Sequence, residues 1–306
     1  MASAPDLVCV GHLVREVIHF PDRVEGPFLG SPPAYCSVAA ARQGTATGLV
    51  SEVGPDMPRA LLQPLIDAGV DIRGLRTGAR TTASELIYNG QGNKEIRYPS
   101  KAKAIKAGHI PQAYRGCRMI YVCPMDNDVR PEDLADVVAQ GQMSAVDLGG
   151  YGGVHMSVAH RRAAPSLVDL ACDVARHFQI VKASDEDAQA ILGWNNPEEA
   201  ANRLLASGPG IVVITLGSKG VLACTAKTRR HVPALPVDPV DTTGGGDGFM
   251  AGFLSEYLRS ADPLRAAQWG CGTAAWVIEG SGGVRPERMP TYQKVKDRVE
   301  QGYRNA

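Results

Sequence analysis

The chain reads as an α/β fold: a mostly parallel central sheet covered by helices, with a small β-sheet lid standing off it. Three observations predict this. Short apolar runs rich in β-branched residues alternate with segments of helical spacing nearly from end to end. One stretch, TASELIYNGQGNKEIRY at 82–98, breaks the alternation and reads as two strands around a turn at 89–93. A glycine run, DTTGGGDGF at 241–249, stands directly before an apolar segment of helical spacing.

In order, the candidate strands are LVCV at 7–10, GLVSEV at 48–53, MIYV at 119–122, AVDL at 145–148, IVK at 180–182, IVVIT at 211–215 and VLACTA at 221–226. Helix punctuation falls between them. Asn196-Pro197 opens a helix with Leu204 and Leu205 on one face and Gly208 as its stop, and Asp262-Pro263 opens another through Trp269 and Val277 to Gly280. A β-like piece at 15–20 follows the first strand and joins the 82–98 hairpin in the lid. The expectation is one domain over 1–306, with lid segments at 13–30 and 81–104.

Composition narrows the partners. With 306 residues, 44% of them hydrophobic, the chain can bury a sizeable core. Its 32 basic and 32 acidic residues balance, so no overall field favours nucleic acid or an anionic membrane, and a small-molecule partner is expected. Seven scattered cysteines without a C-x-x-C pair argue against a disulfide framework or a zinc site and for a reducing cytoplasm. The N-terminus lacks a basic flank and long apolar run, and no segment reaches membrane-spanning length.

The glycine run carries the chemistry. Successive N–H groups of Gly244, Gly245 and Gly246, placed before the helix that contains Phe249, Met250, Phe253, Leu254, Tyr257 and Leu258, form an anion site. Asp247 beside it would repel a bound phosphate unless it accepts a proton from a hydroxyl nucleophile. The same pattern also suits a plain helix start, where an acidic residue steadies the dipole. No G-x-x-x-x-G-K-[ST] occurs, and the first strand runs into VGHLVREV and not G-x-G-x-x-G, against P-loop and dinucleotide chemistry.

DTTGGGDGFMAGFL at 241–254 resembles the D-T-T-G-A-G-D-x-F-x-A-G-F signature of the ribokinase (phosphofructokinase-B) family, with Gly245 in the usual alanine position. VVITLGSKG at 212–220 and VGPDMP at 53–58 resemble further family elements, so the likeness spans essentially the whole chain. It implies a ribokinase-like three-layer fold and an ATP-dependent kinase. On it, Asp247 matches the catalytic base, Gly244, Gly245 and Gly246 the anion hole, and Thr215, Gly217 and Gly220 the positions lining ATP. Asp241 and Thr243 match a monovalent cation (K+) site, whose second half, GSGGVRP at 280–286, is a loose match.

Departures from the family are as informative. Its N-x-x-E element appears as Ser184-Asp185-Glu186-Asp187, where Ser184 faces ATP and Asp187 or Glu186 supports Mg2+ through water; S-x-x-D is equally a helix-capping pattern. Glu16 stands where substrate-binding aspartate is usual, Ser31 replaces a glycine and Tyr35 an asparagine. The D-x-N-x-R element becomes Asp147-Leu148-Gly149-Gly150-Tyr151. VGHLVREV, the A-Y-x-S segment and that altered element resemble the inositol-kinase branch more than ribokinase or fructokinase. An aromatic wall from Phe20, Tyr35 or Tyr88 would instead suit a nucleoside.

His155 and His160, beside Arg161 and Arg162, read as a solvated helix face. His12 near the pocket reads as a substrate contact or a locally satisfied histidine, and Lys94 and Arg97 as reaching or solvated charges. The expected function is transfer of the γ-phosphoryl group of ATP to a hydroxyl of a small sugar, cyclitol or related polyol. A nucleoside kinase of the same family is the alternative, with a non-catalytic sugar or nucleotide sensor and a dinucleotide oxidoreductase more remote. The exposed edge of the lid sheet offers a route to a homodimer.

Overall fold

The computed structural model describes residues 3–88, 94–193 and 196–304. Its strands are β1 Leu7–Val10, β2 Val14–His19, β3 Val24–Gly30, β4 Thr47–Val53, β5 Asp71–Thr77, β6 Thr82–Tyr88, β7 Lys94–Ser100, β8 Cys117–Val122, β9 Gly141–Asp147, β10 Ile180–Ser184, β11 Ile211–Thr215, β12 Val221–Thr225 and β13 Arg229–Val232. Its helices are α1 Pro32–Arg42, α2 Arg59–Asp67, α3 Leu134–Val138, α4 Val158–Ala163, α5 Leu167–Ala175, α6 Asp185–Leu192, α7 Pro197–Leu205, α8 Gly245–Ser260, α9 Pro263–Ile278 and α10 Tyr292–Gly302. The turn expected at 89–93 and the reach of the Lys94 side chain lie outside the described residues.

A nine-stranded sheet runs β13-β12-β11-β10-β9-β8-β1-β4-β5. It is parallel from β5 to β11, and only β12 and β13 add antiparallel pairings at one edge. Alternate residues of β1 show why these runs are apolar throughout: Leu7 and Cys9 join a core with α1 and α8, while Val8 and Val10 join the opposite core with α5 and α7. A parallel sheet covered on both faces has no solvent side on which to place polar residues.

Helix starts follow the chain's capping chemistry. Asn196 Oδ1 accepts the Glu198 and Glu199 amides above Pro197, and Asp262 Oδ1 accepts those of Leu264 and Arg265 above Pro263. α8 and α9 lie close because Gly252 faces Thr273, where a Cβ would come within 2.3 Å of its Oγ1. That close pairing sets the end of α9 under the start of α8.

The second sheet has four strands in the order β3-β2-β6-β7. Buried His12, between β1 and β2, roots it. Its Nδ1 lies 2.9 Å from Thr82 Oγ1 and 3.2 Å from Asp128 Oδ1, and its Nε2 lies 2.9 Å from the Lys103 carbonyl. Thus the histidine ties both ends of the 82–100 hairpin to the main sheet; among the described residues it does not line the cleft with Glu16, so its reading as a substrate contact is corrected.

Burial pulls the His12 imidazolium down, but the Asp128 charge and hydrogen bond outweigh it and raise its pKa. Burial likewise pushes the Asp128 carboxyl up, and His12 with the Met125 and His12 amides holds it well below the usual range. The pair's stabilisation is therefore complete between about pH 4 and about pH 6.5, the unfolded values. It is lost as pH rises through the raised His12 value or falls through the depressed Asp128 value. The prediction is that His12→Gln costs more stability at pH 6 than at pH 9, read from urea midpoints; an equal cost at both would contradict the ion pair.

Candidate active site

The site is assembled at the C-terminal ends of the parallel strands, where α8 begins. Gly244 takes φ 80°, and a Cβ there would meet the Tyr35 ring at 2.3 Å, so both its conformation and its packing exclude a side chain. α8 then starts at Gly245. The Gly245 amide differs from the sequence expectation: it donates to the Thr242 carbonyl at 3.1 Å and closes the turn. Among the described residues, the N–H groups of Gly244 and Gly246 have no acceptor in the protein and are the donors the turn presents. At Gly245, which stands in the family's alanine position, an added Cβ would lie 2.9 Å from Ile278 Cγ2.

Two cavities meet at this turn. One, of about 570 Å³, is walled by Leu235, Val237, Phe249, Ala275 and Ile278 and also by Thr215, Gly217 and Gly220. The other, of about 250 Å³, holds Glu16, Ser31, Tyr35, Lys182, Ser184, Glu186, Asp187, Thr243 and Asp247. Thr215, Gly217, Thr242, Gly245 and Gly246 border both. Asp247 sits in the first turn of α8, 8% exposed, on the polar side.

Lys182 is a residue of the polar cleft that sequence reasoning missed. It is 4% exposed on β10, its Nζ is 2.9 Å from Asp147 Oδ2 and 3.8 Å from Asp187 Oδ2, and it lies 3.4 Å from where a Gly246 Cβ would be. Burial depresses the ammonium, but the Asp147 and Asp187 charges outweigh it and hold it above its ordinary value. The signal was a lone lysine in an otherwise apolar strand. Asp147 therefore faces Lys182 and the Gly149 amide, and the hydroxyl of Tyr151 donates to the Val129 carbonyl at 2.6 Å inside the core.

Ser184 and Asp187 form the capping box: each side chain accepts the other's amide, at 2.9 and 2.8 Å. Asp187 also accepts the Val154 amide, and the Lys182 charge lowers its pKa against the opposing effect of burial. Asp185 and Glu186 expose their carboxylates at the same cleft. Among the described residues no group of three or more His, Cys, Asp or Glu converges as a metal site.

On the acceptor side, Ser84 Oγ donates to Glu16 Oε2 at 3.4 Å. Ser31 holds φ 95° and ψ 150°, a conformation natural to the glycine it replaces. Its buried hydroxyl has no partner among the described residues. Tyr35 is 1% exposed, with its ring under Gly244 and its hydroxyl held by Arg288 Nη1 at 3.1 Å. It floors the cleft and does not stand as an aromatic wall for a base. Tyr88 does reach the rim, stacked on Phe20 at 5.4 Å between centroids, with its hydroxyl 3.5 Å from Thr243 Oγ1.

The histidine pair also departs from expectation. His155 precedes α4 and lines the polar cleft, whereas His160 on α4 lies 2.8 Å from Asp126 Oδ1. Arg97 pairs with Glu95 in solvent. The Asp241 and Thr243 carbonyls accept from Arg288 Nη2 at 3.3 and 2.8 Å. Because Gly244 has no room for a Cβ, Gly244→Ala is predicted to lower stability by about 2 kcal/mol or more. Urea unfolding checks this; an unchanged midpoint would contradict the packing.

A profile described as pfkB family carbohydrate kinase matches residues 4–290. A cytidine kinase of Thermococcus kodakarensis is 30% identical over 262 residues, covering 83% of this chain and 89% of the relative. Two solved structures share the fold. A fructokinase double mutant from Vibrio cholerae O395, in a fructose, ADP and potassium ion bound form, superposes with TM-score 0.77 at 23% identity over 98% of this chain and 100% of that one. A pyrophosphate-dependent kinase in the ribokinase family, complexed with a pyrophosphate analog and myo-inositol, superposes with TM-score 0.80 at 15% identity over 95% and 99%. With the two cavities meeting at its glycine turn and these matches along its length, the chain belongs to the pfkB family of carbohydrate kinases, phosphotransferases that act on a hydroxyl group.

Proposed function

We propose that the chain transfers the γ-phosphoryl group of ATP to a hydroxyl of a small sugar or cyclitol. One observation carries the reading: the glycine turn is the shared wall of a roomy apolar cavity and a smaller polar cleft that holds Asp247. The first suits a nucleoside. Such a cavity would be idle with pyrophosphate as donor, which favours ATP over the donor of the pyrophosphate-dependent relative.

In the reaction, Asp247 takes the proton of the acceptor hydroxyl as its oxygen bonds to the γ-phosphorus. The bond from that phosphorus to the β,γ-bridging oxygen breaks, and its electron pair leaves with ADP. The Gly244 and Gly246 N–H groups and the Lys182 ammonium face the phosphoryl oxygens on which charge gathers. Mg2+ would fit the all-oxygen edge of Glu186 and Asp185, reached through water and supplying screening of the phosphate charge; the expected Asp187 is set aside, because its buried carboxylate is taken up by the Ser184 and Val154 amides and by Lys182. Thr215, Gly217, Gly220 and Ser184 border the path of the nucleotide.

Glu16 and Ser31 take the acceptor's hydroxyls; the partnerless Ser31 Oγ is the group such a ligand would satisfy. The four-stranded sheet serves as lid, since Glu16, Leu86, Tyr88 and Ile96 bring it to the cleft. Its edge strands β3 and β7, which lack an outer neighbour among the described residues, support pairing of two copies. Dependence on ATP supports a cytoplasmic setting.

A nucleoside acceptor is the second reading, supported by the cytidine kinase relative and by the Tyr88–Phe20 stack. A coupled ADP-release screen with Mg2+ and ATP against inositols, pentoses, hexoses and nucleosides separates the two; a preference for nucleosides would overturn the sugar or cyclitol reading. With the best acceptor, Asp247→Asn is predicted to lower kcat at least ~100-fold while ligand binding, followed by calorimetry, stays within a few-fold. Near-normal turnover would refute the assigned base.

A further inference from the structure

Arg288 is among the largest fully buried side chains, 2% exposed, in a turn beyond α9. Each of its five N–H groups has an acceptor. Nε donates to the Val277 carbonyl at 3.0 Å, Nη1 to Tyr35 Oη at 3.1 Å and the Gly283 carbonyl at 2.9 Å, and Nη2 to the Asp241 and Thr243 carbonyls at 3.3 and 2.8 Å. Asp241 Oδ2 stands 3.7 Å from Nη1. The acceptors come from the end of α9, the loop after it, α1 and the strap that enters Gly244.

Converging main-chain carbonyls beside one carboxylate form a site for a single positive charge, and the sequence places a K+ ion at Asp241, Thr243 and 280–286. Those oxygens fit K+ poorly here, because their positive partner is already covalent. An ion bound to the Asp241, Thr243 and Gly283 carbonyls would have to displace three charge-assisted hydrogen bonds and stand against a guanidinium. We propose that Arg288 is the built-in monovalent cation of this site, a positioning residue that holds the Asp241–Thr243 strap and, through Tyr35, the glycine turn, so that phosphoryl transfer needs no dissociable K+. The proposal rests on the kinase reading for its kinetic consequence only; the charge arrangement itself is independent of it.

The test has two readouts. Thermal unfolding of the wild-type protein in KCl, NaCl and choline chloride at equal ionic strength needs no turnover. Agreement of the melting temperatures within about 1 °C is expected, and stabilisation specific to K+ would overturn the proposal. Turnover with the best acceptor should change less than about twofold across the same salts, and activation by K+ beyond that also overturns it. In Arg288→Ala, kcat should fall at least ~10-fold, and K+ or low-millimolar guanidinium should restore part of it and raise the melting temperature. A variant that keeps wild-type kcat, or loses it with no cation able to restore it, contradicts the assignment. Should that variant fail to fold, the wild-type salt series decides alone. Failure to phosphorylate any acceptor would sink the kinase reading and leave the melting comparison standing.

Discussion

Everything at the site depends on Gly244 having no side chain. Its positive φ turns the strap from Asp241 into α8, and the Tyr35 ring fills the space a Cβ would need. From that turn follow the direction of α8, the two presented amides and the position of Asp247 one helical step beyond them. The cost is a glycine-rich helix start with little intrinsic helical preference, offset by burial of the following Phe249, Met250, Phe253 and Leu254 against the core.

Around the turn, two buried cations each meet opposing charge or carbonyl oxygens. Lys182 answers Asp147 and Asp187, and Arg288 answers the carbonyls of the strap. Removing one partner of such a pair costs more than the pair contributes, so these residues are fixed as sets. The set at Lys182 also aims a cation across the glycine turn, where a transferred phosphoryl group would gather negative charge. One arrangement thus serves both folding and the proposed chemistry.

Much of this was legible in the amino-acid order. β1 and β11 coincide residue for residue with LVCV and IVVIT because strands buried on both faces leave an unbroken apolar run. Edge strands β5 and β13, DIRGLRT and RRHV, carry charges that suit a solvent border and hide them from the same test. β9 begins at Gly141, well before the expected 145, since its first residues lie toward the sheet's rim and are partly exposed. The glycine run marked the turn that opens α8 by local pattern alone, although the pairing of the Gly245 amide with the Thr242 carbonyl was not legible in it. The settings of Lys182 and Arg288 escaped because their partners are distant in the chain: Asp147 is 35 positions from Lys182, and Tyr35 is 253 from Arg288. Local pattern carries no record of such meetings.

The most direct measurement is a crystal structure with ADP, Mg2+, aluminium fluoride and the preferred acceptor. The fluoroaluminate is expected against the N–H groups of Gly244 and Gly246, with the Asp247 carboxylate within hydrogen-bond reach of the attacking hydroxyl and adenosine in the apolar cavity. A fluoroaluminate held elsewhere, or Asp247 turned away from the acceptor oxygen, would contradict the proposed chemistry.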